Sequence, residues 1–561
     1  MKLIECVPNF SEGRDRRVID AITAEIAAVD GAMLLDVDPG AATNRTVVTF
    51  VGPPEAVEEA AFRAIARAAA LIDMSRHHGE HPRMGATDVC PFVPVQGATL
   101  EDCVAISRRL GQRVGDELGI PVYLYAHAAT RPERERLPDI REGEYEALAA
   151  KLRDPDFAPD FGPAAFNARA GATAVGAREF LIAWNVNLDT RDRKLAGAIA
   201  AQLRETGTLA RDAGGAIVRD AGGKAVRVPG RFRGLQGGGW YIEEYGRAQI
   251  SFNILSHETA PLHEVFDACR EEAAKLGLRV TGSELVGLVP LAALLAAGDH
   301  YLARQGATSG VPEGERVHAA VLSLGLGELA GFDPAEKVVE YKYRGAPSGL
   351  GAMRLRDFVS ELSSDSFAPG GGSVAALCGA LSAALSAMVA ALTWSKAGLE
   401  DARPLMLATG RRAQDLKDWF TAAVDADTDA FLAVIRARRR PKKTKEEKAA
   451  RLAAIEQANQ EATRVPLTVL ERSLEALELA RTAAEKGNPA SVSDAGVAAA
   501  CALAAAEGAA LNVEINLPSL TDEAVAAEIR QRLDGQLARA RELAAEIRES
   551  VRGSLADQAG S

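Results

Sequence analysis

RGAPSGLGA, residues 344–352, is the stretch on which the fold turns, because the sequence reads differently on its two sides. Its Gly, Pro and Ser content is that of a linker, and we set the linker at residues 344–353. Upstream, short β-branched or apolar runs alternate with amphipathic stretches. They are LIECVP from Leu3, a helix near Arg16 to Val29, AMLLDV from Ala32, RTVVTFVG from Arg45, a helix from Pro54 to Ile72, DVCPFVPV from Asp88, a helix near Leu100 to Leu118, and PVYLYA from Pro121. That alternation predicts a sheet covered by helices. A second such unit starts at EFLIAWNVNL (179–188). It includes WYIEEYGRAQISFNIL (240–255) as paired strands around a Tyr-Gly turn, a helix from Pro261 to Leu276, and the strand-like VVEYKY (338–343). The Gly-rich segment from Ala213 to Gly239 is too irregular for a core element and reads as a surface excursion. Downstream of the linker, Ala, Leu, Glu and Arg dominate with helical periodicity, which predicts an all-α bundle. The expected fold is multidomain: two α/β subdomains of α+β sandwich character, residues 1–177 and 178–343, followed by a helical bundle over 354–561. We read no short-period internal repeat.

A chain of 561 residues exceeds what one hydrophobic core supports, so several domains are expected. A net charge of −12 argues against a nucleic-acid surface and leaves small-molecule chemistry as the default. Six cysteines without paired spacing fit reduced thiols in a cytoplasm. The opening MKLIECVPNFSEGRD lacks the features of a signal peptide, so the mature chain is expected to start here. Ser373 to Trp394 carries no charge, but it is built from Ala, Ser and Gly, which suits a closely packed bundle helix better than a membrane span.

Two segments carry chemistry. MSRHHGEHPRMGATDVCPF (74–92) places His77, His78 and His81 in a loop interrupted by Gly79 and Pro82. Gly and Pro break the helical face that a paired-histidine metal site needs, so the metal reading is weak. An imidazole titrating near neutral pH suits general acid-base work on an amine that attacks a carbon centre. Pro82 holds His81 extended. Residue type alone equally allows a solvated loop. In the helical part, Leu416, Phe420, Val424, Phe431 and Ile435 fall on one stripe. Advancing about 100° per residue puts Asp427 in the middle of that stripe and turns Asp425 and Asp429 away from it. A carboxyl on an apolar face has a raised pKa and exchanges protons readily, although an aspartate paired with a buried arginine is the structural alternative. In APGGGSVAA (368–376), three glycines stand just before a long helix whose free N–H groups suit an anion, or they form a flexible entry loop. The basic run RARRRPKKTKEEK (436–448) reads as a solvated interhelical loop.

ECVPNFSEGRD (5–15), DVDPGAATNRTVVTFVGPPE (36–55), MSRHHGEHPRMGATDVCPFVPV (74–95) and DFGPAAFNARAGATAVGAREFLIAWNVNL (160–188) resemble the signature segments of the formiminotransferase-cyclodeaminase family. The similarity continues through GSELVGLVP, APGGGSVAA, VDADTDAF and VEINLPSLTDE, so it covers nearly the whole chain in the family's domain order.

The resemblance implies a bifunctional folate enzyme of histidine degradation. It would transfer a formimidoyl group from N-formimidoyl-L-glutamate to tetrahydrofolate, then cyclise 5-formimidoyltetrahydrofolate to 5,10-methenyltetrahydrofolate with loss of ammonia. It assigns His81 to the transferase, Asp427 to the cyclodeaminase, and folate binding to Gly162, Pro163, Ala164, Ala165, Phe166, Asn167, Ala168, Arg169, Ala170 and Gly171, whose interior Asn167 to Ala170 departs from the family pattern. Asp38, Asn44 and Arg45, placed in a loop between two strands, are weaker candidates for the glutamate portion, and Gly371, Gly372 and Ser373 for the folate. The implied co-substrate is polyglutamylated tetrahydrofolate, with no metal and no nucleotide. The implied assembly is a homo-oligomer, an octamer in the family, without nucleic acid or a membrane span. The rival readings are a transferase with a merely structural helical domain, a folate-binding protein without turnover, and a metal hydrolase using His77, His78 and His81.

Overall fold

The computed structural model describes residues 2–41, 43–79, 81–329, 331–345, 348–366 and 368–560, so Ala346 and Pro347 of the linker lie outside the described residues. The chain forms two compact units, Met1–Ala297 with Ala320–Gly345, and Gly298–Ala319 with Ala346–Ser561.

In the first unit, β1 (Leu3–Cys6), β2 (Asn9–Phe10), β3 (Met33–Gly40), β4 (Arg45–Gly52), β5 (Thr87–Gln96), β6 (Val122–Ala126) and β7 (Thr173–Ala177) make one mixed sheet. β1 and β2 form a broken row between β4 and β5 and run antiparallel to both. β3 pairs with β4, while β7 joins β5 to β6 in parallel. Side chains alternate across a strand, so Ile4, Cys6, Val48, Phe50, Cys90 and Phe92 share one face. They form a single core with Ile22, Ile26, Val57, Ile65, Leu110 and Val114 of the helices Arg16–Ala27, Pro54–Leu71 and Leu100–Leu118. The last of these begins at a capping box between Thr99 and Asp102 and stops at Gly119, whose φ of 62° suits a residue without Cβ.

β8 (Ile182–Leu188), β11 (Leu235–Ile242), β12 (Arg247–Ile254) and β13 (Val280–Val286) form a second, antiparallel sheet in the order β11-β12-β8-β13. The WYIEEYGRAQISFNIL hairpin is seen as β11 and β12. Three expectations fail nearby. Gly237 to Gly239 belong to β11 and not to a surface excursion; glycine is needed there because a Cβ on Gly239 would lie 2.2 Å from the Arg193 carbonyl oxygen of the covering helix Arg193–Leu203. VVEYKY is not a strand: Pro334–Lys337 and Val339–Arg344 are helical, and Val338 alone bridges to Val289. The β-branched pair is buried, with Val339 against Leu3, Leu35 and Val51, so packing overrides strand propensity.

The third correction is a repeat. Arg211–Val218 (RDAGGAIV) and Arg219–Val226 (RDAGGKAV) are tandem octapeptides. In each, the aspartate Oδ1 accepts from the N–H groups two and four residues on, at 2.9 Å. Gly215 and Gly223 turn the chain at φ of 83° and 80°. Ala210, Val218 and Val226 close a triangle of backbone bonds above a stem of β9 (Thr208–Leu209) and β10 (Arg227–Val228).

The second unit is built from Gly371–Trp394, Arg403–Arg438, Lys445–Lys486, Val492–Asn516 and Glu523–Gly560. Gly371–Trp394 buries Ala375, Ala376, Gly379, Ala380, Ala383, Ala387 and Ala390, small enough that Phe420 of the next helix stands where a Cβ on Gly379 would be, at 2.5 Å. Gly371–Trp394 and the stretch Pro489–Ser519 are long and apolar enough to cross a membrane, and their most apolar windows are 56% and 44% buried inside this unit. The basic run ends one helix at Arg438, stays exposed, and passes into Lys445–Lys486 through a Thr444–Glu447 capping box.

Candidate functional site

In the first unit the histidine loop is fixed from two sides. Asn44, at φ of 48° in the turn between β3 and β4, accepts from Gly13 N–H at 3.0 Å and donates its Nδ2 to the His78 carbonyl at 3.0 Å. Asn44 alone of the three weaker candidates is in that turn, since Asp38 is an exposed residue of β3 and Arg45 opens β4, a correction to their common placement in the loop. His77 is buried; its Nδ1 accepts from Arg83 Nε at 3.3 Å, which leaves Nε2–H to donate to the Asn44 carbonyl at 2.8 Å. With both nitrogens engaged, His77 is a structural residue.

His81 is different. Its Nδ1–H donates to the Pro82 carbonyl at 2.7 Å, which places the lone pair on Nε2, and Arg45 Nη1 donates to that atom. Burial, and then the Arg45 charge, push the imidazole below the ordinary histidine value, so it is neutral at neutral pH and able to accept a proton. Around it, Asp88 accepts from Met84 N–H at 2.9 Å and pairs with Arg141. The loop also borders a cavity of ≈ 390 Å³ lined by His78, Gly79, Arg83, Gly143, Glu144 and Glu146. Among the described residues His81 does not line it.

The Gly162–Gly171 segment is a largely exposed loop whose end touches the histidine segment. Ala86 N–H donates to the Ala170 carbonyl at 2.8 Å and Ala172 N–H to the Met84 carbonyl at 3.0 Å. A Cβ on Gly85 would lie 2.1 Å from the Ala172 oxygen, and one on Gly171 2.2 Å from the Met84 oxygen. Glycine at both positions is what lets the two backbones meet. The divergent interior is anchored by backbone: Tyr145 OH donates to the Ala168 carbonyl and Arg169 Nη2 to the Ala70 carbonyl, both at 2.6 Å.

In the second unit, Asp427 lies half-buried against the N-terminus of Gly371–Trp394. A Cβ on Gly372 would lie 2.1 Å from Asp427 Oδ1. Burial raises the Asp427 pKa, with hydrogen bonding from the Ser373 amide opposing it. Ser373 Oγ donates to the Val424 carbonyl at 2.9 Å, and Asn512 stands 3.6 Å from where a Gly371 Cβ would be. Asp425, rather than facing solvent, accepts from Leu350 N–H at 2.6 Å and Gly351 N–H at 3.1 Å, and Asp429 is exposed. The stripe is also shorter than expected: Phe431 is 41% exposed, and Ala430, Val434 and Ala437 continue the buried face. Gly372→Ala is expected to displace the Asp427 carboxyl and to lower Tm, which a thermal melt of the variant would measure.

Comparison with known proteins matches these two units to named families. Residues 3–178 match the formiminotransferase domain, N-terminal subdomain, residues 183–344 the formiminotransferase domain, and residues 354–535 the formiminotransferase-cyclodeaminase model. A formimidoyltransferase-cyclodeaminase of Sus scrofa is 45% identical over 97% of this chain and 98% of its own length. The chain belongs to the formimidoyltransferase-cyclodeaminase family. Two relatives match part of the chain: a glutamate formimidoyltransferase of Streptococcus pyogenes serotype M1 is 42% identical over 54% of this chain and 93% of its own length, and a methenyltetrahydrofolate cyclohydrolase of Methylorubrum extorquens is 40% identical over 36% and 99%.

Against that family, the structure brings His81 together with Arg45 and Asn44 together with His77 and His78, and brings the Gly162–Gly171 backbone together with the HPRMGA segment. It leaves Asp38 on an exposed strand. Sequence reasoning missed Arg83, Asp88, Arg141 and Asn512. Arg83 donates to Glu144 at 3.0 Å and Glu146 at 2.7 Å as well as to His77, a network joined across sixty residues that no local spacing signals.

Proposed function

We propose that His81 and Asp427 run the two consecutive reactions of a bifunctional folate enzyme. The protein transfers the formimidoyl group of N-formimidoyl-L-glutamate to tetrahydrofolate and cyclises the product to 5,10-methenyltetrahydrofolate with release of ammonia, two one-carbon steps of histidine degradation. Two observations support the assignment: in one half the half-buried His81 presents its Nε2 lone pair to Arg45, and in the other the half-buried Asp427 carboxyl stands against a backbone that only glycine permits, at Gly372.

In the transferase, tetrahydrofolate N5 attacks the amidine carbon and gives up its proton to His81 Nε2. The bond from that carbon to the glutamate nitrogen breaks, its electron pair stays on nitrogen, and the imidazolium returns the proton there. Gly162 to Gly171 bind the folate, and Asn44 and Arg45 the glutamate portion, with Asp38 the weakest of the three. In the cyclodeaminase, N10 attacks the carbon of the protonated formimidoyl group, and Asp427 takes the N10 proton and returns it to the exocyclic amino group. The bond from the carbon to that nitrogen breaks with its electron pair leaving on ammonia, and the cationic methenyl bridge remains, with Gly371, Gly372 and Ser373 lining the folate. Neither sequence needs a metal or a nucleotide.

The reading extends to a cytoplasmic homo-oligomer, an octamer in the family, acting on polyglutamylated folate. Free cysteines support the compartment. Leu381, Met388 and Leu392 on one helix, with Val497, Leu511 and Ile515 on another, are exposed apolar side chains that a second copy would cover. We assign the transferase to residues 1–343 and the cyclodeaminase to 354–561. A fragment ending at Tyr343 is then expected to release glutamate from formimidoylglutamate and tetrahydrofolate, accumulate 5-formimidoyltetrahydrofolate and produce no methenyl absorbance. Because Gly298–Ala319 clusters with the helical unit, where Arg411 pairs with Asp299 at 2.9 Å, the fragment should melt below the whole chain. A folded fragment without transferase activity contradicts the assignment.

A further inference from the structure

Arg45 is a half-buried cation that pairs with no carboxylate among the described residues. Its Nε is buried and has no hydrogen-bond partner. The acid next to it, Asp88, is already held by Arg141 and by the Met84 amide, and Asp38 is exposed. Burial lowers the Arg45 pKa to about 10, so the cost of holding this charge is real. One guanidinium N–H is spent on the lone pair of His81 Nε2, and the others point to no acid.

We propose that Arg45 is the receptor for the α-carboxylate of formimidoylglutamate and that, in the empty enzyme, it caps the base His81. The inference rests on His81 as the proton acceptor of the transferase. In N-formimidoylglutamate the α-carboxylate is carried on the carbon bonded to the departing nitrogen. A group that returns a proton to that nitrogen therefore stands beside the carboxylate, and a cation touching His81 Nε2 is placed to bind it. A carboxylate accepts two parallel N–H bonds from a guanidinium, which neutral Nε2 cannot match. Substrate thus draws the Arg45 donor off Nε2 and frees the lone pair for the N5 proton. The same exchange partly neutralises the cation that, after burial, holds the imidazole pKa down, so the base strengthens when substrate is present. The other charges facing this pair are Asp88 and Arg141, which neutralise each other, and exposed Asp38.

The test compares N-formimidoyl-L-glutamate with N-formimidoyl-4-aminobutyrate, which has the same chain without the α-carboxylate, in the wild type and in Arg45→Gln. The wild type should lose roughly 100-fold in transferase kcat/KM on the shorter analogue, and Arg45→Gln should treat the two within about threefold. The acidic limb of kcat/KM should move to higher pH in Arg45→Gln, because removing the cation raises the His81 pKa and the base protonates earlier as pH falls. L-Glutamate should inhibit the wild type competitively and 4-aminobutyrate should not, a reading that needs no variant to fold. Wild-type discrimination retained by Arg45→Gln, or equal inhibition by the two amino acids, overturns the proposal. An active His81→Ala variant with discrimination still lost in Arg45→Gln would remove the base but keep the receptor.

Discussion

His81→Ala lowers glutamate release by roughly 10²- to 10⁴-fold, the usual worth of a positioned acid-base group, while the helical unit goes on converting separately supplied 5-formimidoyltetrahydrofolate. The expectation comes from how His77 and His81 are engaged. His77 spends both nitrogens on Arg83 and Asn44, whereas His81 spends one on the Pro82 carbonyl and presents the other lone pair to Arg45. His77→Ala should instead act through stability, loosening the loop and lowering Tm. The pH dependence follows from the sign of the shift. The His81 pKa lies below the ordinary histidine value, first through burial and then through Arg45, so transferase activity persists at neutral pH and falls only as pH drops through that lowered pKa. Near-normal glutamate release by His81→Ala would take the residue out of the mechanism.

Asp427→Asn stops ammonia release and leaves glutamate release intact, so 5-formimidoyltetrahydrofolate accumulates. Asparagine keeps the size of the group and much of its hydrogen bonding but cannot take up and return a proton. A lost acid-base group is again worth 10²- to 10⁴-fold. Burial raises the Asp427 pKa, so the cyclodeaminase fails on the acid side above the ordinary carboxylate range, as the base form is lost. The neighbours provide the controls. Asp429 is exposed, and Asp429→Asn should leave both activities near normal. Asp425→Asn should keep most of the activity yet lower Tm, because Asp425 fastens the turn at Leu350 and Gly351. Loss of activity in Asp425→Asn with an active Asp427→Asn would show that another register of the helix faces the chemistry.

The alternation of apolar runs upstream of the linker was legible because strands and helices there bury one face each, and period 2 or 3.6 survives in the sequence. Asp427 was legible for the same reason, since helical spacing alone puts it between Val424 and Ala430 on the buried side. The losses have physical causes. Phe431 falls on the stripe by spacing yet is exposed, because beyond Asp427 the packed face is the one carrying Ala430, Val434 and Ala437. Val339 opens a helix because the core around Leu3 and Val51 takes it in that form, and Val338 is left as one extended residue between two helices. The octapeptide repeat is held by aspartate side chains folding back on their own turns, a signal far shorter than the periods of repeat folds. Arg45 was legible as a candidate for the glutamate portion in a loop between two strands; that no carboxylate among the described residues pairs with it is a property of three-dimensional packing and left no trace in the local sequence.

The most direct measurement follows glutamate, ammonia and the methenyl chromophore together in one reaction of the intact protein with N-formimidoyl-L-glutamate and tetrahydrofolate. Two sites acting in series predict that the three products reach equal amounts, with glutamate leading and with ammonia and the chromophore rising together. Glutamate formed without ammonia or chromophore would leave only the transferase, and absence of all three products would contradict the account.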